Sequence, residues 1–419
     1  MLKFDQTESS SQNNLKSTST TEVSMAPSEM DRANDTKFNK IQSFLSDIPD
    51  IVCMSHLRWD FVFQRPQHLL TRFAQHGRLF YFEEPKFYDG AEPHLDVTTR
   101  EGADINIVVA HLPNGLTPQQ SDEKQIELLN AFFAEKGLDR FVFWYYTPMA
   151  LEITRHLNPV LTVFDCMDEL SAFAGAPPRL RELEAEMFQK ADLVFTGGHS
   201  LYDLKKSQHA ALYAFPSSID KTHFAQARQN LPEPADQASI PQPRFGFYGV
   251  VDERFDIELL RGISALRPDW HFVIIGPIVK IEESVLPRAE NIHYLGGKNY
   301  KELPIYLGGW DVALLPFALN DSTKYISPTK TPEYLAGGKP VVSTSITDVI
   351  RPYGELELVH IADTPETFVA AIEKALTQRT DAEWLRKTDE YLADISWDNT
   401  WQNMVSLMQM ALVEKDIQA

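Results

Sequence analysis

Chemistry is concentrated most densely in residues 326–346, ISPTKTPEYLAGGKPVVSTSI. Ser327, Thr329, Lys330 and Thr331 stand at the head of a short helix expected over 332–336, with a strand expected at 340–343. A helix start offers unpaired backbone N–H groups and the positive end of the dipole. With the full charge of Lys330 it can seat an anion such as a diphosphate. Glu333, three residues after Lys330, projects from about the same face, where a carboxylate can accept hydrogen bonds from two vicinal hydroxyls of a ribose. The same residues also fit a plain capping arrangement, with Thr329 or Thr331 as the cap and Glu333 in its first turn.

Three further places follow apolar runs, where ligands bind in open α/β sheets. The run VLTVF is followed by Asp165-Cys166-Met167-Asp168-Glu169. Carboxylates held close and partly desolvated can act as a general base or orient one, and Asp168 and Asp165 are the candidates. Acids also favour turns and helix starts, which would make them structural. The segment Gly249-Val250-Val251-Asp252-Glu253-Arg254 pairs a glycine at a strand end with a cation five residues on. A glycine lets a phosphate approach the backbone and an arginine offers a fork of donors, unless that arginine only pairs with its acidic neighbours. The loop of residues 55–65 gathers His56, Arg58, Trp59, Asp60 and Arg65. No GxGxxG follows the first strand, and GxxxxGK[ST], HExxH and GxSxG are all missing from the sequence. The 12 histidines show no HxxxH spacing, so neither a metal site nor a cofactor is expected.

Placing these residues requires an alternation of strands and helices, and the sequence has one. IVCM (51–54), RLFYF (78–82), INIVVA (105–110), FVFWYY (141–146), VLTVF (160–164) and LVFT (193–196) are strand candidates. Helical patterns separate them, such as PQHLLTRFAQHG, with Pro66 in its first turn and Gly77 at its stop. Between 225 and 243 the pattern collapses around Pro232, Pro234, Pro241 and Pro243, which block helix and ladder alike. Alternation restarts with RFGFYGV, HFVIIG, NIHYLG, DVALLPF and PVVSTS. The fold class is therefore α/β, with a first domain over 45–224, a linker over 225–243 and a second domain over 244–395. Residues 396–419 form a helix whose Trp397, Trp401, Met404, Val405, Met408, Ala411 and Leu412 share one face and must pack on something large. Ten of the first 25 residues are Ser or Thr, and residues 1–44 read as a disordered tail.

Composition narrows the partners. Lys and Arg number 39 against 59 Asp and Glu, and the net charge of −20 disfavours nucleic acid and permits at most peripheral contact with a membrane. Two cysteines make no disulfide framework, no apolar run approaches a membrane span, and the start lacks the apolar core of a signal peptide. A soluble cytoplasmic protein is expected.

EYLAGGKPVVST, preceded by NIHYLGGKNYKELPIYLGGWDVALLPF, resembles the carboxy-terminal domain of GT-B glycosyltransferases of the "group 1" family. SHLRWDFVFQRPQHLLTRFA, VFDCMDELSAF and GFYGVVDERFD extend the resemblance to a bacterial subgroup, from about residue 51 to 412. It implies two Rossmann-like domains facing across a cleft, with the final helix crossing back to the first. A nucleotide-sugar donor would be held mainly by the second domain and a carbohydrate or lipid-linked acceptor by the first, in surface polysaccharide or glycolipid synthesis. By position Glu333 matches the family glutamate that binds the donor ribose. Lys330 and Arg254 would neutralise the diphosphate, Gly249, Ser327, Thr329 and Thr331 would border it, and Gly276-Pro277 with 295–298 would border the base. His56, Arg58 and Asp60 would lie on the acceptor loop. Many retaining members carry a second glutamate eight residues before the ribose-binding one, where this chain has Tyr325. Retention and inversion both stay open; inversion would make Asp168 or Asp165 the base. An epimerase or phosphorylase on the same architecture, or a non-catalytic nucleotide-sugar-binding or scaffold protein, are the alternatives.

Overall fold

The computed structural model describes residue 45 and residues 47–90, 92–100 and 104–418; the tail expected over 1–44 lies outside the described residues. The first sheet contains β1 (Asp50–Met54), β2 (Leu79–Tyr88), β3 (His94–Arg100), β4 (Ile105–Pro113), β5 (Phe141–Tyr145), β6 (Leu161–Cys166), β7 (Leu193–Thr196) and β8 (Leu212–Ala214). Its order is β3-β4-β2-β1-β5-β6-β7-β8, parallel throughout apart from the β3–β4 pair. The second sheet contains β9 (Arg244–Tyr248), β10 (His271–Ile275), β11 (Ile292–Tyr294), β12 (Val312–Leu315), β13 (Val341–Ser343) and β14 (Val359–Ile361). All its pairs are parallel, in the order β11-β10-β9-β12-β13-β14.

Continuous apolar runs make central strands because a parallel sheet is covered on both faces. β5 (FVFWY) and β9 (RFGFY) are buried at every residue. β1 lies between β2 and β5, and β9 between β10 and β12, so each sheet reverses its strand order at its first strand and opens a crevice at the carboxyl ends there. Three strands escape the sequence pattern. β8 and β14 are three residues each, too short to alternate, and β3 is an exposed edge strand with few apolar residues.

Helix α1 (Arg65–Phe73) starts where expected, with Pro66 in its first turn and the Gln67 side chain accepting the Gln64 N–H at 3.0 Å. It ends at Phe73, earlier than the expected stop at Gly77; that glycine faces Ile48 so closely that a Cβ would come within 2.9 Å of its Cγ2. Helix α2 (Pro118–Lys136) is capped by Thr117 and ends at Gly137, whose φ of +60° suits glycine. The Pro-rich segment is not devoid of helix. Ala225–Arg228 and Ala235–Ala238 are short turns of helix, and Gln237 and Ile240 are buried, because the segment packs on the second domain. There Gln237 accepts from the Trp310 indole N–H at 2.9 Å and donates to the Tyr306 carbonyl at 3.0 Å.

Helix α3 (His199–Lys205) follows β7, and helix α4 (Lys330–Ala336) follows the chemically dense segment. Helix α5 (Trp397–Gln418) returns to the first domain. Its Trp397, Trp401, Met404, Val405, Met408 and Leu412 share one core with Leu69, Leu70 and Phe73 of α1 and Trp144 of β5. Arg72 Nε meets Asp398 Oδ1 at 2.7 Å on the rim of that contact. Burying each of these large side chains contributes roughly 1.5–3 kcal/mol, so the apolar stripe, and not the rim ion pair, fastens α5 to the first domain.

Candidate functional site

A cleft of about 660 Å3 lies between the carboxyl ends of the two sheets, lined by residues 59–65 after β1, Met167 and Asp168 after β6, the ends of β9 and β10, and residues 326–330.

The second-domain wall is built on glycine. Gly249 and Gly276 have φ of +149° and +144° and follow β9 and β10 directly. A Cβ on Gly276 would come 1.8 Å from the Gly249 carbonyl oxygen, and one on Gly249 would come 2.2 Å from Lys330 Cε and 2.8 Å from its Nζ. The lysine stem therefore lies directly on bare backbone. Among the described residues no carboxylate is within ion-pair distance of its ammonium group. Burial pushes Lys330 below the usual lysine range, against the pull of Glu333, and the Arg254 charge pushes it the same way. Glu333 is buried and pushed above the usual carboxylate range by that burial, although the Tyr248 hydroxyl donates to its Oε2 at 2.7 Å. Tyr248 is itself fixed by its N–H, which donates to the Tyr334 hydroxyl at 3.0 Å. Arg254 is held by Asp252, with Nε and Nη2 at 3.0 and 2.7 Å from its carboxylate oxygens. Arg254 thus pairs locally and also lines the cleft.

Opposite stands the first-domain wall. Asp168 lines the cleft and burial pushes its carboxyl up to about 6, with Arg254 and Arg65 pulling it back and Asp252 adding to the rise. Asp165 is a correction to the sequence reading. It lies within β6 and is 0% exposed, and Arg65 Nε and Nη2 reach its oxygens at 2.8–3.1 Å while Nη1 donates to the Phe215 carbonyl at 2.7 Å. A carboxylate sealed in this way holds the wall together and is not available to a substrate.

The other candidates divide similarly. Asp60 lines the cleft and is paired with Arg100. Arg58 does not line it, being tied to Glu83 at 2.9 Å and to the Glu84 carbonyl at 2.6 Å. His56 is also off the cleft; its Nδ1 is buried without a partner, and burial holds the ring down to about 4. Thr331 is wholly buried with no partner for its hydroxyl, so it cannot border a ligand. Ser327 and Thr329 do line the cleft. The expected capping fails, because α4 begins at Lys330 and no Thr329 side-chain bond closes its first turn. Of residues 295–298, Gly297 and Lys298 line the cleft, whereas Leu295 packs on the second-domain core. Tyr325 packs against the core of the first domain.

Sequence reasoning missed Tyr248, Tyr300 and Phe63. Phe63 stacks on Tyr300 across the two domains with ring centroids 4.5 Å apart. A tyrosine closing a strand and followed by glycine was the available signal for Tyr248. The domains also meet where the Ser217 hydroxyl donates to the Ser327 carbonyl at 2.6 Å and the Ser200 N–H donates to Asp348 Oδ1 at 2.9 Å. Among the described residues no three His, Cys, Asp or Glu side chains gather as a metal cage, and no helix is long and apolar enough to cross a membrane.

Residues 242–378, which carry the glycine-and-lysine wall, match the family model described as glycosyl transferases group 1. The second domain therefore resembles that of the group 1 glycosyltransferases. It is 26% identical over 266 residues to TuaH of Bacillus subtilis (strain 168), a glycosyltransferase assigned by name to teichuronic acid biosynthesis; the match covers 58% of this chain and 65% of the relative's length. Two solved structures show the shared GT-B fold. A sucrose-phosphate synthase from Thermosynechococcus elongatus superposes with a TM-score of 0.64 at 16% identity, covering 87% of this chain and all of the other. An alpha,alpha-trehalose-phosphate synthase (UDP-forming) from Burkholderia xenovorans, in complex with glucose-6-phosphate, gives a TM-score of 0.56 at 13% identity, covering 88% and 100%. In this chain α5 closes the GT-B arrangement by docking on the first domain.

Proposed function

We propose that the chain transfers a glycosyl group from a nucleoside-diphosphate sugar to a hydroxyl of a glycan or glycolipid acceptor. The observation that carries this reading is Lys330, a half-buried cation laid on the bare backbone of Gly249 with no carboxylate among the described residues within ion-pair distance. A desolvated ammonium group left without a counter-ion calls for an anionic ligand. Arg254 supplies a second positive charge, and Gly249 and Gly276 leave room for phosphate oxygens against the backbone, with Ser327 and Thr329 beside them. Glu333, oriented by Tyr248, accepts from the ribose hydroxyls.

In the transfer, the bond between the sugar's anomeric carbon and the diphosphate oxygen breaks as a bond forms to the acceptor oxygen. The two cations stabilise the charge that builds on the departing diphosphate. The acceptor hydroxyl loses its proton, and Asp168, facing the cleft from the other wall with a carboxyl that titrates at about 6, is placed to take it. The likeness to TuaH supports a role in cell-surface polymer synthesis. A thermal-shift screen with UDP-, GDP-, ADP- and dTDP-sugars tests the reading, since a ligand that binds only the native state raises the melting temperature. Lys330→Ala should then weaken binding of the selected nucleotide sugar by about 1.5–3 kcal/mol while leaving the unliganded melting temperature in place. Unchanged nucleotide affinity in that variant would make the lysine structural and remove the reading's support.

A further inference from the structure

The two walls of the cleft differ in sign. The second-domain wall presents Lys330 without an ion-pair partner among the described residues, beside Arg254 and Lys298, which Asp252 and Asp236 hold. On the first-domain side the nearby cations are all committed to protein groups: Arg65 to Asp165 and the Phe215 carbonyl, Arg58 to Glu83 and the Glu84 carbonyl, and Arg100 to Asp60. Among the described residues, what this wall leaves unpaired along the cleft is the Asp168 carboxylate and Phe61, beside an Asp60 that is paired with Arg100. Phe61 is 49% exposed, and among the described residues no other ring or cation packs on it, whereas Phe63 is already spent on Tyr300. Its backbone is not free to swing away. The Phe61 N–H donates to the Arg58 carbonyl at 3.3 Å, and Arg58 is anchored to β2 through Glu83 and Glu84.

We infer that the acceptor enters as an uncharged glycan, with a pyranose ring laid on Phe61 and its hydroxyls turned to Asp60 and Asp168, and not as a sugar phosphate. This rests on the glycosyltransferase reading and specifies its second substrate. An aromatic face is electron-rich and receives the C–H face of a pyranose, while carboxylates accept from hydroxyls. The unpaired Asp168 carboxylate repels a phosphate, because like charges brought together on binding are unfavourable. The free ring and the acidic neighbours therefore select for the same ligand: neutral, rich in hydroxyls, and flat on one side.

The test uses the full chain with the nucleotide sugar selected by thermal shift, and follows release of nucleoside diphosphate with p-nitrophenyl pyranosides and their matched 6-phosphates as acceptors. Neutral glycosides should exceed their 6-phosphates by about 100-fold in kcat/KM. Phe61→Ala should raise the acceptor KM about tenfold with the donor KM unchanged, and Phe61→Trp should restore it. Preference for the 6-phosphates, no release with any neutral glycoside, or an acceptor KM indifferent to Phe61→Ala would each overturn the inference while donor binding still stood. A chain that binds no nucleotide sugar would overturn this inference and the reading beneath it together.

Discussion

Asp168→Asn should make the protein more stable and much slower. In the folded chain this carboxyl titrates at about 6, against 3.8 for an ordinary aspartate. At 1.4 kcal/mol per tenfold change in affinity for the proton, the shift corresponds to about 3 kcal/mol at most. Because the side chain is partly open to the cleft, solvent screening reduces this to about 1–2 kcal/mol. A carboxyl whose folded value is raised stabilises the fold while protonated. That stability is complete below about pH 4, declines as the pH rises, and is gone above about pH 6. Asparagine keeps the shape without the charge, so its advantage is full at pH 8, roughly half at pH 5 and absent below about pH 4. In a chain of this length that is a rise of about 2–4 °C in melting temperature at pH 8, narrowing at pH 5. Turnover should fall by about 10²–10⁴ with donor affinity retained, and wild-type activity should decline below about pH 6. Scanning fluorimetry at two pH values and a nucleoside diphosphate release assay read both halves. A variant that melts at or below the wild type at pH 8, with near-normal turnover, would refute the placement of Asp168 as a desolvated, reacting carboxylate.

Asp165→Asn should act in the opposite way, costing about 3–5 kcal/mol in denaturant unfolding, because it strands the buried Arg65 guanidinium. Gly249→Ala should abolish nucleotide-sugar binding in calorimetry while the protein still folds, since its Cβ would displace the Lys330 stem now 2.2 Å from that position. Trp397→Ala should destabilise by about 3–5 kcal/mol, because the ring is 1% exposed and stacks on His68 at 4.6 Å; a loss below 1 kcal/mol would show that α5 is not fastened by its apolar face.

What was legible in the sequence was local. Eleven of the strands could be read from apolar runs, with central ones such as FVFWY and VLTVF unmistakable because a parallel strand buries both faces. Gly249, Lys330 and Glu333 were legible because a glycine at a strand end and a lysine three residues before a glutamate have consequences within one turn of chain. What was hidden was pairing at a distance. Arg65 and Asp165 are 100 residues apart, as are Tyr248 and Glu333 by 85, and no local pattern says which carboxylate will be sealed by an arginine and which will be left open. Two aspartates three residues apart thus stand in opposite environments for a reason only tertiary structure supplies: one lies inside β6, and the other lies past its end.

Tyr325 carries the same lesson toward mechanism. Where many family members would offer a carboxylate to the donor sugar, this chain has a partly buried aromatic ring packed against the first domain's core, two residues before Ser327 bonds across to Ser217. Both contacts draw the segment that leads to Lys330 toward the opposite wall. A residue spent on joining the domains cannot also reach the sugar, so in the proposed reaction Tyr325 does not supply the carboxylate contact that many family members make there. The same two domains must meet for Tyr325 to pack, for the 326–330 segment to hold its place, and for Asp168 to stand opposite Lys330 and Arg254.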